Sequence, residues 1–182
     1  AQKTTGSHED NDKVAMKYWR LAISPSDKLN MSSYQAMDRI LYFVWKGRGM
    51  PKEKEYNVFF NSIQRFAEVG YLPSQYVLAE LNYHGRYISK NLSVAMDWYR
   101  KISENPRAHY IFRSYAMVKR ANMYLSGEAN QSNEAAYHWY EEAAALDNVI
   151  AMEKLVELYK NNVPRLIEAG ADRLGTSAGI LI

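Results

Sequence analysis

A short aromatic segment that recurs along the chain constrains the fold more than any other feature of the sequence. It reads VAMKYWRLA at residues 14–22, VAMDWYRKI at 94–102 and AAYHWYEEA at 135–143. Regular recurrence is typical of repeat proteins, in which one unit cannot bury its apolar face alone but stacked units can. The sequence therefore predicts an array of stacked repeats.

The middle copy indicates what the aromatic residues do. On a helix Ala95, Trp98, Tyr99 and Ile102 stand at i, i+3, i+4 and i+7, which places them on one face. The small residue lets a neighbouring helix approach, and the two rings fill the wedge between helices, each contributing roughly 1.5 to 3 kcal/mol when buried. The alternative is an aromatic cage for a ligand. We favour packing, because the pair recurs with the period of the fold whereas a ligand site need occur only once.

Two series of helices interleave along the chain. Patterns of helical period dominate, and no segment alternates with period two for long enough to form a strand. Gly and Pro separate the periodic segments and mark short connections. Both series repeat every 35 to 44 residues, with the aromatic helices starting at Ala15, Phe59, Ala95 and Ala136 and their partner helices near Ala36, Ser74, Ala116 and Ala151. The sequence predicts an all-α fold.

The partner helices share start and stop signals. They read AMDRILYFVWKG, SQYVLAELNYHG, AMVKRANMYLSG and AMEKLVELYKNN, and most of them end at Gly. Gly at the end of a helix takes the left-handed conformation that other residues adopt only with strain. Asn91, and the NQS stretch that begins at Asn130, stand where loops enter the aromatic helices. Their side chains are expected to cap free backbone N–H groups there.

Together these patterns resemble the Sel1-like repeat family, which is related to the tetratricopeptide repeats. The resemblance rests on a Gly-terminated first helix, a loop such as GRYISKN at 85–91, and a second helix with the pattern A-x-x-W-Y. It covers roughly residues 12–162 and implies a right-handed α-solenoid of about four antiparallel helix pairs. Residues 1–11 are then expected to be a flexible N-terminal segment, and residues 163–182 a C-terminal capping helix with an apolar tail.

A few residues depart from the family pattern. In the first of the four partner-helix units, Phe59, Ser62 and Ile63 stand where Ala, Trp and Tyr are expected. Arg120 and Asn82 interrupt the apolar pattern of their helices. These two residues indicate either surface adaptations or a register that is wrong by one turn.

Composition excludes several kinds of partner. The formal charge is only +3 and the charges of both signs are interleaved, which argues against nucleic acid binding. The chain has no cysteine, so it has no disulfide, thiolate metal site or thiol nucleophile. The longest apolar run, Ile40 to Trp45, is far shorter than the ~20 residues of a membrane span, so no membrane insertion is expected.

The sequence offers little for catalysis. GTSAG at 175–179 matches the nucleophile-elbow pattern, but that chemistry needs a preceding strand and a later histidine, and only three residues follow it. A hydrolase that uses Ser177 is therefore disfavoured. The four histidines have neither metal-ligand spacing nor cysteine companions, so we expect no metal and no cofactor. The chain is predicted not to be an enzyme.

The family resemblance places function on the first helices. In a solenoid of paired helices the first helix of each pair lines the concave face, where positions not used for packing can meet a partner. Tyr and Trp are frequent there, and these residues carry much of the binding energy at protein interfaces. For each residue singly, packing on a neighbouring helix stays an open alternative. The predicted protein-binding face comprises Asp38, Tyr42, Trp45, Lys46, Tyr76, Glu80, Tyr83, His84, Tyr115, Asn122, Glu153 and Glu157.

The expected function is binding of a protein partner, as an adaptor or scaffold. The alternative is an immunity or inhibitor protein that neutralises a secreted bacterial toxin or effector enzyme, because exported Sel1-like proteins include such inhibitors. The small-residue start at Ala1 is typical of a mature exported protein and favours the bacterial periplasm. The edge of an expressed fragment would look the same, which leaves a cytoplasmic location as the alternative.

Overall fold

The structure is a computed structural model, and it describes residues 17–18, 31–46, 56–128 and 132–161. In chain order its helices are α1 (Met31–Lys46), α2 (Tyr56–Glu68), α3 (Leu72–His84), α4 (Leu92–Ser103), α5 (Tyr110–Leu125), α6 (Asn133–Ala144) and α7 (residues 149–161). Lys17 and Tyr18 are also helical. These residues include no strand, and the predicted all-α class is confirmed.

The chain divides after Ala108 into two compact units. In the first unit α3 packs against α4, α2 and α1. In the second unit α5 packs against α6, and Ala151, Leu155 and Leu158 of α7 join the same core. Each unit therefore contains first helices and second helices in the alternation that the sequence predicts.

The predicted Gly stops lie at equivalent places in both units. Gly85 follows α3 with φ +68°, and Gly127 lies in the turn after α5 with φ +78°. The Gly85 N–H donates to the carbonyl of Leu81, which closes the last turn of α3. A Cβ on Gly85 would also lie 3.0 Å from the Cβ of Lys90, so both conformation and space favour Gly there.

The second helices begin with matching caps. The Asn91 side chain accepts a hydrogen bond from the Val94 N–H, and Ser132 accepts one from the Ala135 N–H, each at 3.1 Å. Asn91 is therefore a cap, as expected. In the NQS stretch the cap is Ser132, whereas Asn130 lies outside the described residues. The backbone N–H groups of the two caps also donate back to the preceding first helix, to the carbonyls of Asn82 and Tyr124.

In each unit a left-handed residue also closes one turn from a second helix to the next first helix, from α2 to α3 and from α6 to α7. That residue is Gly70 in the first unit, with φ +92°, and Asp147 in the second, with φ +59°. The next residues, Tyr71 and Asn148, donate their N–H groups to the carbonyls of Phe66 and Ala143. The two turns are the same, but only one of them has the residue that adopts this conformation without strain.

We predict that Asp147→Gly stabilises the second unit. Gly adopts the left-handed conformation without the strain that Asp147 carries, which raises the free energy of unfolding. Gly also loses more chain entropy on folding, which offsets part of this gain, so the net increase should be about 0.5 to 1 kcal/mol. Urea unfolding followed by far-UV circular dichroism measures it. Gly70→Asp is the mirrored control. No atom lies within 4 Å of a Cβ built on Gly70, so this variant should lose a similar amount from strain alone. A neutral or destabilising Asp147→Gly would contradict the prediction.

The aromatic pair of the repeat packs in the core. Ala95, Trp98, Tyr99 and Ile102 are all buried, which confirms the packing interpretation. In the second unit Ala136, Tyr140 and Ala143 are buried at the equivalent positions, and Trp139 is half-buried. The divergent residues of α2 keep the same register, because the structure also buries Phe59, Ser62 and Ile63.

Arg120 is inside the repeat, so neither explanation given for it from the sequence is correct. It occupies the position that Leu78 holds in the first unit, and it is only 5 % exposed. Its guanidinium carbon lies 3.6 Å from the ring centroid of Trp139. Arg120 is buried because an aromatic face covers its delocalised charge. Asn82 is half-buried, with its amide donating to the carbonyl of Leu78 one turn earlier.

Candidate functional site

The predicted binding residues of α1 differ in their environments. Tyr42 is exposed, as a partner-facing residue should be. Asp38 accepts a hydrogen bond from the hydroxyl of Tyr71, so its carboxylate helps to fix the start of α3. The side chains of Trp45 and Lys46 lie outside the described residues. Asp38 and Tyr42, the two predicted α1 residues whose side chains are described, are therefore both exposed.

Two predicted tyrosines of α3 lie against the core. Tyr76 and Tyr83 are half-buried, with ring centroids 6.3 and 6.5 Å from the ring of Tyr99. Tyr83 also stacks edge-on against His84, at 4.9 Å. Both tyrosines therefore take part in packing, and contact of their remaining surface with a partner stays a prediction.

Glu80 links the first helix to the second. One carboxylate oxygen accepts a hydrogen bond from the Tyr99 hydroxyl at 2.7 Å, and the other lies 3.3 Å from His84 Nε2. Burial of the hydroxyl, and then the adjacent Glu80 carboxylate, raise the pKa of Tyr99 well above its usual range. Glu80 therefore helps to orient the buried ring, as well as lying on the predicted binding face.

Asn122 plays the same part in the second unit. Its side-chain oxygen accepts a hydrogen bond from the Tyr140 hydroxyl at 2.5 Å. Asn122 and Glu80 occupy the same position of the repeat, as do Tyr140 and Tyr99. The bond therefore recurs with the period of the fold. At this position of α1 and α2 the residues are Tyr42 and Ile63, and Ile63 has no hydroxyl to donate.

The second unit should lose stability in alkali because of Tyr140. Burial, and then the nearby Glu157 carboxylate, raise the pKa of Tyr140 to about 12, from about 10 in the unfolded chain. The contribution of the protonated hydroxyl to the free energy of unfolding is therefore complete below pH 10, and it is lost as the pH rises towards 12. The expected loss is about 1.4 kcal/mol by pH 11.

Urea unfolding at pH 8 and pH 11 measures this effect, with Tyr140→Phe as the reference variant. The Phe variant cannot ionise at residue 140, so its stability should fall less between the two pH values. Equal losses in the two proteins would show that Tyr140 is not protected from ionisation.

The remaining predicted residues of the second unit are at the surface. Tyr115 on α5 is exposed, and so is Glu153 on α7. Glu157 is also exposed, and its carboxylate lies 2.7 Å from the Lys154 ammonium. The structure does not gather these three residues with Asn122 into one cavity among the described pockets.

A pocket lies in the first unit, at the contact between α1 and α3. Its volume is about 320 Å³, and its described lining residues are Val44, Val77, Glu80, Leu81, His84 and Arg86. The three aliphatic residues are buried, and we call them the floor; Glu80 is half-buried and His84 and Arg86 are exposed, and we call these three the rim. Glu80 and His84 are predicted binding residues, and the pocket brings these two together. It is large enough for one or two amino-acid side chains.

Arg86 was missed by the sequence analysis. It follows the Gly stop of α3 and therefore lies outside the helix-face positions that were considered. Its side chain is exposed and makes no ion pair within the part of the chain that the structure describes. The signal that could have indicated it is its place one residue after a left-handed Gly, where the loop turns back over the helix end.

Metal and membrane binding receive no support from the described ranges. In them, no group of three or more His, Asp or Glu side chains is placed to hold a metal ion. None of the helices there is both long and apolar enough to cross a membrane. Ser177 and His8 lie outside the described residues.

Comparison with known families matches residues 72–105 and 114–148 to the Sel1 repeat. The first match spans α3 and α4, and the second covers α6 and most of α5. A search of curated proteins finds no match to the chain. Sel1 repeats form a helical solenoid like that of tetratricopeptide repeats, and they are in general non-catalytic protein-interaction modules. The chain therefore contains two segments that match the Sel1 repeat, one in each of its two units.

Proposed function

We propose that this protein is a non-enzymatic adaptor that binds a protein partner at the first-helix face of its first unit. The α1–α3 pocket carries the proposal, because it combines an apolar floor with Glu80 and His84 of the predicted face. In this proposal an apolar side chain of the partner enters the pocket, and an acidic group beside it pairs with Arg86. Exposed Tyr42 on α1 offers a further contact.

The charges at the rim favour an acidic partner over a basic one. Both oxygens of Glu80 already face internal groups, the Tyr99 hydroxyl and His84 Nε2, so its charge is partly compensated. Arg86 has no such compensation among the described residues. A partner carboxylate can therefore approach Arg86 without displacing an ion pair to any described residue, whereas a basic group would have to compete for Glu80.

The free energies of the expected contacts predict that the pocket by itself binds a partner only weakly. Burying one aliphatic side chain stabilises the complex by roughly 1.5 to 3 kcal/mol, and an exposed ion pair adds at most about 1 kcal/mol. Ordering the two partners opposes this gain. The pocket would therefore give specificity, and high affinity would need contacts at several first helices.

Selection from a random peptide display library tests the proposal. Peptides enriched on the immobilised protein should carry an aliphatic or aromatic residue next to Asp or Glu. Arg86→Ala should weaken their binding by roughly three- to fivefold, which corresponds to the loss of an exposed ion pair, and should reduce its salt dependence. Arg107→Ala is the matched control, because Arg107 is exposed and does not line the pocket.

Enrichment of basic peptides, or equal effects of the two Arg variants, would contradict the proposed chemistry. The role as adaptor needs a separate measurement on a natural partner. If the partner is an enzyme and its activity falls in step with complex formation, the protein is an inhibitor and not an adaptor.

A further inference from the structure

One face of helix α7 packs in the core of the second unit, and another face is exposed. Ala151, Leu155 and Leu158 point into the hydrophobic core that α7 shares with α5 and α6. These residues have the i, i+4, i+7 spacing of a single helix face. They hold α7 in the second unit as the first helix of a further repeat.

A second apolar face of α7 is exposed. Its exposed fractions are 64 % for Val149, 41 % for Met152, 53 % for Val156 and 57 % for Tyr159. The spacing of i, i+3, i+7 and i+10 puts all four on one stripe of the helix. We call these four residues the α7 stripe.

The preceding repeat shows what such a stripe meets. The α5 residues at the positions of Met152, Val156 and Tyr159 are Met117, Ala121 and Tyr124. Met117 and Ala121 are buried in a cluster that includes Ala136, Tyr140 and Ala143 of α6, and Tyr124 packs against it. In α5, therefore, these positions lie in the core formed with its second helix. The α7 stripe is the corresponding surface. In the described structure the ring of Tyr159 lies edge-on to that of Tyr137 on α6, with centroids 5.8 Å apart, and all four stripe residues stay exposed.

The sequence that follows α7 has the length to supply such an element. In both Sel1 repeats about seven residues separate the first helix from a second helix of 12 residues. The chain continues for 21 residues after Asn161. This segment is apolar at Val163, Leu166, Ile167, Leu174, Ile180, Leu181 and Ile182. Because it is tethered directly to α7, its effective concentration at the stripe is in the millimolar range or above.

We propose that residues 163–182 of the same chain dock on the α7 stripe and complete the further helical repeat that α7 begins. The docked segment takes the place that α6 holds against α5. It covers Val156 and Met152, whose burial supplies the driving force. The occupant is therefore the chain's own C-terminal segment, and a second copy of the chain is the rival that the experiment distinguishes.

Photo-crosslinking of the full-length protein tests this docking. A photoreactive phenylalanine analogue replaces Val156, and a matched protein carries it at Ile150, which is exposed on α7 but lies off the stripe. Irradiation of a mixture of isotopically light and heavy chains, followed by mass spectrometry, identifies both ends of each crosslink. We expect crosslinks from residue 156 to residues 163–182 within one chain, at several times the yield from residue 150. Crosslinks between light and heavy chains would assign the stripe to a second copy, and equal yields from both positions would also overturn the proposal.

Limited trypsin digestion gives a second readout that does not need an unnatural residue. If the segment is docked, Arg165 and Arg173 lie in protected sequence, and Val156→Asp should speed cleavage there at least about tenfold. Ile150→Asp introduces the same charge on the same helix and should leave the cleavage rate within about twofold of the wild type. Cleavage that is equally fast in the wild type and in Val156→Asp would show that the segment is not held on the stripe.

Discussion

Replacing Tyr99 by Ala should lower the free energy of unfolding by about 3 to 5 kcal/mol, the largest loss we expect from a single substitution in the first unit. Tyr99 has no exposed surface, and the rings of Tyr76 and Tyr83 lie around it. Its removal leaves a cavity between α3 and α4 and deprives Glu80 of a hydrogen-bond donor. Urea unfolding followed by far-UV circular dichroism measures the loss.

Tyr99→Phe separates the two contributions. It keeps the ring and removes only the hydroxyl, so it should cost about 1 to 2 kcal/mol for the bond to Glu80. Glu80→Gln retains an oxygen acceptor and should cost less than Tyr99→Phe. A loss below about 1 kcal/mol in Tyr99→Ala would show that the aromatic residue is not part of the core.

The second large effect is expected at Trp139, where Ala should cost about 3 to 5 kcal/mol. The cost has two sources, because Trp139 packs on the core and also covers the buried guanidinium of Arg120. Without the ring, Arg120 keeps its charge at a position that is 5 % exposed. A buried charge that loses its neighbour is strongly destabilising.

A double-mutant cycle with Arg120→Met isolates the contribution of the guanidinium. In the Arg120→Met background, Trp139→Ala should cost about 1 to 2 kcal/mol less than in the wild type. The matched pair in the first unit is Trp98 with Lys101, whose ammonium lies 4.1 Å from the ring centroid but belongs to an exposed residue. Its coupling should be about 0.5 kcal/mol. Equal couplings in the two pairs would contradict the account of Arg120.

The repeat architecture could be predicted from sequence because its signals are local. The spacing of Ala95, Trp98 and Tyr99 indicates one helix face, and Gly85 and Gly127 mark positions that only a few residue types tolerate. The Sel1 repeat matches fall on the two units where the sequence pattern is most regular, 72–105 and 114–148. The right-handed twist of the solenoid, the number of four helix pairs and the limits of the repeat array at residues 12 and 162 stay predictions.

The candidate site could be predicted only in part. The spacing of residues on a helix face does not distinguish a residue that faces a partner from one that packs on the neighbouring helix. Tyr83 and Glu80 lie on the predicted face, yet both also contact Tyr99, Tyr83 through its ring and Glu80 through a hydrogen bond. Arg86 was missed because it belongs to a loop, where no period applies. Arg120 was misjudged because a charged residue in an apolar pattern is ordinarily exposed, whereas here the ring of Trp139 covers its guanidinium.

The central claim is that a protein partner binds at the α1–α3 pocket, and chemical-shift mapping of the isotope-labelled protein tests it most directly. On addition of a peptide selected by display, the largest backbone shifts should fall on Val77, Glu80, Leu81, His84 and Arg86, which line the pocket. The same titration with Arg86→Ala should need several-fold more peptide to reach saturation. Shifts centred on the second unit, or unchanged saturation in the variant, would contradict the claim.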